Sequence, residues 1–148
     1  MRISAKGEYA IKAMLDLALH DGKGLIPIQD IAARQGIPQR YLEQVLLLLK
    51  RAGFLQSKRG SAGGYELSRP PQDISVGAVL SAMEGSLERS GAGQRAGRRS
   101  ASDHARDLED LWSEISAAVA GVVDRVSFAD LCRRVEQRRS AARPMYHI

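Results

Sequence analysis

The corner Gly36-Ile37-Pro38 constrains this chain more than any other feature, because it leaves room for only a tight turn between two helical patterns. Before it, Pro27 opens a short helix through Gln35, with Ile28, Ile31 and Ala32 on one face and Gly36 as its stop. After it, a helix is predicted from Gln39 to Ala52, with Leu46 and Leu49 directed into the core and Leu47 and Leu48 covering a neighbouring surface. Two short helices joined by a three- or four-residue turn containing glycine form a helix-turn-helix. Upstream, Ser4 caps a predicted helix running to about His20, in which Tyr9, Ala10, Ala13, Met14, Leu17 and Ala18 recur at three- and four-residue spacings. Downstream, Phe54 to Arg59 reads as a strand, Gly60-Ser61-Ala62-Gly63-Gly64 as a reversal, and Tyr65-Glu66-Leu67 as the returning strand. The expected fold is therefore mainly α with a small β-hairpin wing: a winged helix-turn-helix.

A packing helix, Ser75 to Glu84, closes this unit, with Val76, Val79, Leu80 and Met83 inward. The composition then shifts. Residues 85 to 106 hold four Gly, four Ser, four Ala and five Arg, too little apolar surface to offset the entropy of ordering, so a mobile loop is expected. Leu108, Leu111, Trp112, Ile115, Val119, Val122 and Val126 then mark one face of a long helix, and a satellite helix spans about Phe128 to Arg139. The predicted organisation is 1–84 as the winged unit, 85–106 as the loop, 107–139 as the long and satellite helices, and 140–148 as a tail.

The 148 residues make one ordinary domain, or one small domain with an appended element. Apolar residues at 44 % and charged residues at 26 % suit a packed core, and aromatics at only 5 % suit an aliphatic one. No apolar run reaches the roughly 18 residues that span a bilayer, and the opening residues carry no signal-peptide pattern, so a cytoplasmic protein is expected. A single cysteine, Cys132, excludes an intramolecular disulfide and a zinc site of several thiolates. Of the net charge of +5, most sits between Pro38 and Arg69, where six cations face two anions. Such clustering fits a polyanion-binding surface, although a solvated basic face has the same composition. Enzymatic readings fail on the residues. The glycine-rich reversal lacks the Lys-Ser/Thr ending and strand-to-helix setting of a phosphate cradle. Ser102-Asp103-His104 are adjacent in a polar stretch rather than gathered from a distance, and His20 and His147 have no ligand partners at useful spacing.

The chain resembles the Rrf-two family of bacterial winged-helix transcription regulators. The resemblance is carried by Ser4-Ala5-Lys6-Gly7-Glu8-Tyr9-Ala10, Ile31-Ala32, Tyr41-Leu42-Glu43-Gln44, Ala52-Gly53, Arg59-Gly60-Ser61-Ala62-Gly63-Gly64-Tyr65, Ile74-Ser75-Val76-Gly77 and Phe128-Ala129-Asp130-Leu131, in order. It implies a homodimeric regulator, acting as a repressor on a partly palindromic operator in double-stranded DNA. The helix from Gln39 to Arg51 would enter the major groove, and the wing would lie along the minor groove. Gln39, Arg40, Glu43 and Gln44 then occupy the part of a recognition helix that reaches base edges: Gln44 pairs with adenine, Arg40 with guanine, and Glu43 accepts from cytosine N4. Arg59 suits the negative potential of a narrow minor groove, and the wing tip Gly60, Ser61, Gly63 and Gly64 allows close backbone approach. Lys6, Tyr9, Tyr41, Arg51 and Lys58 are assigned to phosphates. Leu108, Leu111, Trp112, Ile115, Val119, Val122 and Val126 are assigned to the dimer interface.

Two departures refine the resemblance. Pro38 stands where the family commonly has a capping serine that touches phosphate. Sensory relatives carry three cysteines in the loop matching Gly85 to Ser102, where this chain has none; no cofactor or metal is expected, since the thiolates that hold an iron–sulfur cluster are missing. Cys132 is expected to be an inert, mostly buried thiol; a redox sensor would need exposure and a lowered pKa. The clusterless loop and the ending Pro144-Met145-Tyr146-His147-Ile148 resemble the branch of the family concerned with cysteine metabolism. That likeness implies cysteine synthase as a partner, held through Tyr146, His147 and Ile148 with the free carboxylate in its pocket. A cluster- or thiol-based sensor and a module that regulates cysteine synthase with little DNA binding stay open as alternatives.

Overall fold

The computed structural model describes residues 3–84 and 103–142, and within them the helices start and stop where local chemistry directs. Helix α1 (Ala5–Leu19) is capped by Ser4, whose Oγ accepts the Gly7 N–H at 3.1 Å. Helix α2 (Ile28–Gln35) ends at Gly36, which adopts the left-handed conformation (φ 64°) that a side chain would resist. The Ile37 N–H reaches back to the Ala32 carbonyl at 3.1 Å, tightening the corner. Helix α3 (Gln39–Arg51) follows. Pro38 is its cap residue rather than its first helical residue, and it offers no side-chain acceptor; its carbonyl accepts the Tyr41 and Leu42 N–H groups at 3.0 Å.

Strands β1 (Leu55–Lys58) and β2 (Gly64–Leu67) pair antiparallel, with Leu55 opposite Leu67 and Lys58 opposite Gly64. The hairpin does not stand alone. Ile26, in the connection before α2, exchanges two backbone hydrogen bonds with Tyr65, both at 2.8 Å. Gly64 makes that exchange possible, because a Cβ there would lie 2.5 Å from the Ile26 carbonyl group. Gly64 is consequently buried against its own chain, and the close approach it permits is to Ile26, not to an external surface. Gly63 serves the loop: a Cβ there would strike the Lys58 carbonyl oxygen across the reversal.

After a 3₁₀ turn (Pro71–Asp73) come α4 (Val76–Glu84), the long α5 (Asp103–Arg125) and α6 (Phe128–Ala142). Helix α5 begins at Asp103, so residues 103–106 are helical rather than part of a loop; residues 85–102 and the tail 143–148 lie outside the described residues. Ser127 and Asp130 cap α6 reciprocally, each side chain accepting the other's backbone N–H at 3.0 Å.

One core joins all the helices except most of α5. Ala10, Ala13, Met14 and Leu17 of α1 meet Ile31, Leu42, Leu46, Leu49, Val79 and Leu80, with Phe128 fully buried among them. Truncating such a ring to alanine typically costs about 3–5 kcal/mol. Phe128 therefore ties α6 to the same core as the winged unit, so 107–139 is not an independent module. Val126 behaves likewise. Its carbonyl accepts the Val76 N–H at 2.8 Å and its half-buried side chain packs on the core, so it also serves the intrachain fold. Asp16, 1 % exposed, is the buried charge among the described residues. Arg34 Nε and Nη2 donate to its two oxygens at 2.9 Å, and Gln35 adds a third donor at 3.2 Å. That pairing holds the Arg34 guanidinium above its usual pKa.

Candidate nucleic-acid interface

Helix α3 divides cleanly by side. Leu42, Val45, Leu46 and Leu49 are buried, while Gln39, Arg40, Tyr41, Glu43, Gln44, Lys50 and Arg51 are exposed. Leu46 and Leu49 take the core positions expected of them; Leu47 and Leu48 are 46 % and 37 % exposed. The base-reading candidates Gln39, Arg40, Glu43 and Gln44 thus share the solvent side of the first two turns, held there by the apolar side.

Two hollows flank that surface. On one side, Lys6 and Tyr9 of α1 and Tyr41, Gln44 and Leu48 of α3 line a groove of about 410 Å³. Three of the predicted phosphate contacts are brought together here. Tyr9 is half-buried and packs on the edge of the core, leaving only part of its ring to the groove. On the other side, a cleft of about 470 Å³ runs between α3 and the wing. Its walls carry Lys50 from α3 and Lys58, Arg59, Gly60 and Ser61 from the hairpin, with Gln29 at the start of α2. Arg59 is exposed and lines this cleft, so helix and wing present their charges to one space. The register Lys58–Gly64 and the Ile26–Tyr65 exchange set the wing in that position. Arg40 and Arg51 line neither hollow but stand on the exposed side of α3 between them.

The cations of this surface are not consumed by the fold. Ion pairs among the described residues are Arg34–Asp16 and Arg133–Asp130, and neither involves Arg40, Lys50, Arg51, Lys58 or Arg59. Arg69 is also exposed, and its guanidinium stacks over the Phe54 ring at 5.3 Å. Gln29 and Lys50 were not singled out as site residues from the sequence. Lys50 was visible as charge; Gln29 comes into place only when the start of α2 is folded beside the wing.

The long helix is different in kind. Helix α5, about 35 Å long at 1.5 Å per residue, leaves Leu108, Leu111, Trp112 and Val122 between 46 % and 53 % exposed, with Ile115 and Val119 half-buried on the same side. Near its C-terminus it lies against α4, where a Cβ on Gly77 would collide with the Asp124 carboxylate.

A helix-turn-helix whose corner, wing and long C-terminal helix take this arrangement is matched by the family model Rrf2, described as Iron-dependent Transcriptional regulator, over residues 3–134. The chain belongs to the Rrf2 family. It is 39 % identical over 134 residues to the HTH-type transcriptional regulator IscR of Photobacterium profundum, covering 90 % of this chain and 76 % of that protein. Among solved structures, IscR of T. potens superposes with a TM-score of 0.79 at 35 % identity, covering 99 % of this chain and 97 % of the other. CymR, the global cysteine regulator of B. subtilis, superposes with a TM-score of 0.71 at 31 % identity, covering 90 % and 98 %. The chain is thus a DNA-binding transcriptional regulator of the Rrf2 family, and its relatives are named as regulators, not enzymes.

The iron in the family's description does not fit the donors of this chain. Iron–sulfur clusters are held chiefly by several thiolates, and the sequence has one cysteine, while residues 85–102 contain neither Cys nor His. Among the described residues no three His, Cys, Asp or Glu side chains gather as a metal site. Cys132 is half-buried on α6; burial first, then the carboxylates of Glu136 and Asp21, push its thiol pKa up. That is the reverse of what a reactive thiolate needs. No described helix is long and apolar enough to cross a membrane.

Proposed function

We propose that this protein is a homodimeric, sequence-specific repressor that reads a partly palindromic operator and controls genes of sulfur and cysteine metabolism. The observation that carries the DNA reading is the surface of α3 and the wing. Arg40, Lys50, Arg51, Lys58 and Arg59 stand together there with no carboxylate partner among the described residues, beside the exposed readers Gln39, Glu43 and Gln44. Arg40, Glu43 and Gln44 address base edges, Arg59 the minor groove, and Lys6, Tyr41, Arg51 and Lys58 the phosphates, with Tyr9 contributing from the edge of its groove. Lys50 and Gln29 join the cleft wall. Gly60 and Ser61 form the exposed tip, while Gly63 and Gly64 act indirectly by closing the loop and seating the wing.

The exposed apolar side of α5 supports dimerisation: Leu108, Leu111, Trp112 and Val122 leave a stripe that a second copy would cover. A twofold dimer would set its recognition helices about 34–36 Å apart, one DNA turn, or a multiple of that. Likeness to CymR, together with the lack of cluster thiolates, supports the cysteine-metabolism assignment. The tail residues Tyr146, His147 and Ile148 extend it to a cysteine synthase partner. The deciding experiment is selection of bound duplexes from a random pool by the full chain. A two-half-site consensus, with affinity falling steeply as salt rises, is expected; retention without any consensus defeats the reading. For the tail, the full chain should bind cysteine synthase in titration calorimetry and a chain lacking Ile148 should not, and equal behaviour removes that partner.

A further inference from the structure

One side chain on the reading surface has chemistry unlike its neighbours. Arg40, Glu43, Gln44, Leu47 and Arg51 recur at three- and four-residue spacings, so they form one stripe along the solvent side of α3, opposite Leu42, Val45, Leu46 and Leu49. Leu47 lies at the middle of that stripe, 46 % exposed, and also lines the cleft shared with Lys50, Lys58 and Arg59. The described residues leave nearly half of it open to solvent. Burial does not explain a leucine here, and a ring of cations makes an apolar protein surface a poor match.

The major groove offers one apolar group among its base edges, the C5-methyl of thymine; the other edges present hydrogen-bond donors and acceptors. We infer that Leu47 is a specificity-determining residue that contacts a thymine methyl within each half-site, one helical turn beyond the bases addressed by Glu43 and Gln44. This inference rests on the DNA reading proposed above. The cations of the cleft hold the phosphates on either side, and desolvation of Leu47 against the methyl then favours thymine over the three other bases. Leu48 faces the groove on the α1 side instead, which makes it the natural control.

The test replaces thymine by uracil, one position at a time, in a half-site of the selected duplex, removing the methyl while keeping base pairing. A buried methyl-sized group is worth about fourfold in affinity. The full chain should lose about fourfold at one thymine position per half-site. Leu47→Ala should bind the thymine duplex about fourfold more weakly and be indifferent to uracil at that position, whereas Leu48→Ala should keep the wild-type response. Circular dichroism confirms that both exposed-site variants fold. Wild-type indifference to uracil at every position, or a uracil response in Leu47→Ala equal to that of wild type, overturns the inference while leaving the DNA reading intact. Failure to select any duplex overturns both.

Discussion

The wing cleft and the outer side of α5 are both surfaces that the described chain leaves uncovered, yet they are incomplete in opposite senses. In the cleft, apart from Leu47, the exposed side chains include Lys50, Lys58 and Arg59, whose charges water already solvates, so leaving them free costs the folded chain little. On α5 they are Leu108, Leu111, Trp112 and Val122, whose exposure water penalises at roughly 25 cal/mol per Å². On the proposed reading, the cleft would associate and release with a strong dependence on salt. The α5 stripe would instead be covered by a second copy through apolar contact that salt screens little.

Three expected outcomes press on that contrast. The largest is Trp112→Glu, which places a charge in the α5 stripe. Light scattering should find a monomer, and operator affinity should fall by about 100-fold or more, because the second half-site is no longer tethered. A dimer that survives the substitution would locate the dimer contact elsewhere. Next, Arg59→Ala should cost about 1–3 kcal/mol on the selected operator and relax its sequence preference, whereas Lys58→Ala should weaken all duplexes alike and lower the salt slope by about 1. Equal effects of the two on operator and random DNA would merge their roles; neither should change the molecular mass. The smallest concerns Cys132, which lies in neither surface. With its folded pKa raised by burial and by Glu136 and Asp21, the group's stability contribution is fully present below the ordinary thiol pKa and is lost as pH rises through the folded value. Iodoacetamide labelling of Cys132 should be slower than that of a free thiol at neutral pH and accelerate only above the ordinary thiol range. Fast labelling at neutral pH would return the thiol to the list of candidate sensors.

Much of this architecture was legible in the residues because local chemistry decides it. Ser4 and Gly36 lie where helices start or stop, and Leu46 and Leu49 take the buried side of α3 that their spacing indicates. The departures have a common cause in long-range packing. Asp103 to Asp107 carry no apolar periodicity, so the first turn of α5 gives no pattern to read. Val126 continues the α5 heptad-like spacing in sequence, but the helix ends at Arg125 and the chain turns Val126 onto α4. Gly64 looks like a residue kept small for an outside surface, and only the fold reveals Ile26 behind it. Gln29 enters the cleft by the same kind of distant juxtaposition.

The stitch between Ile26 and Tyr65 has a mechanical consequence. By fastening the hairpin to the segment that leads into α2, it braces the wing from behind. A bulkier residue at position 64 would push against the Ile26 backbone and lever the hairpin out of place, although every charged side chain of the cleft stayed unchanged.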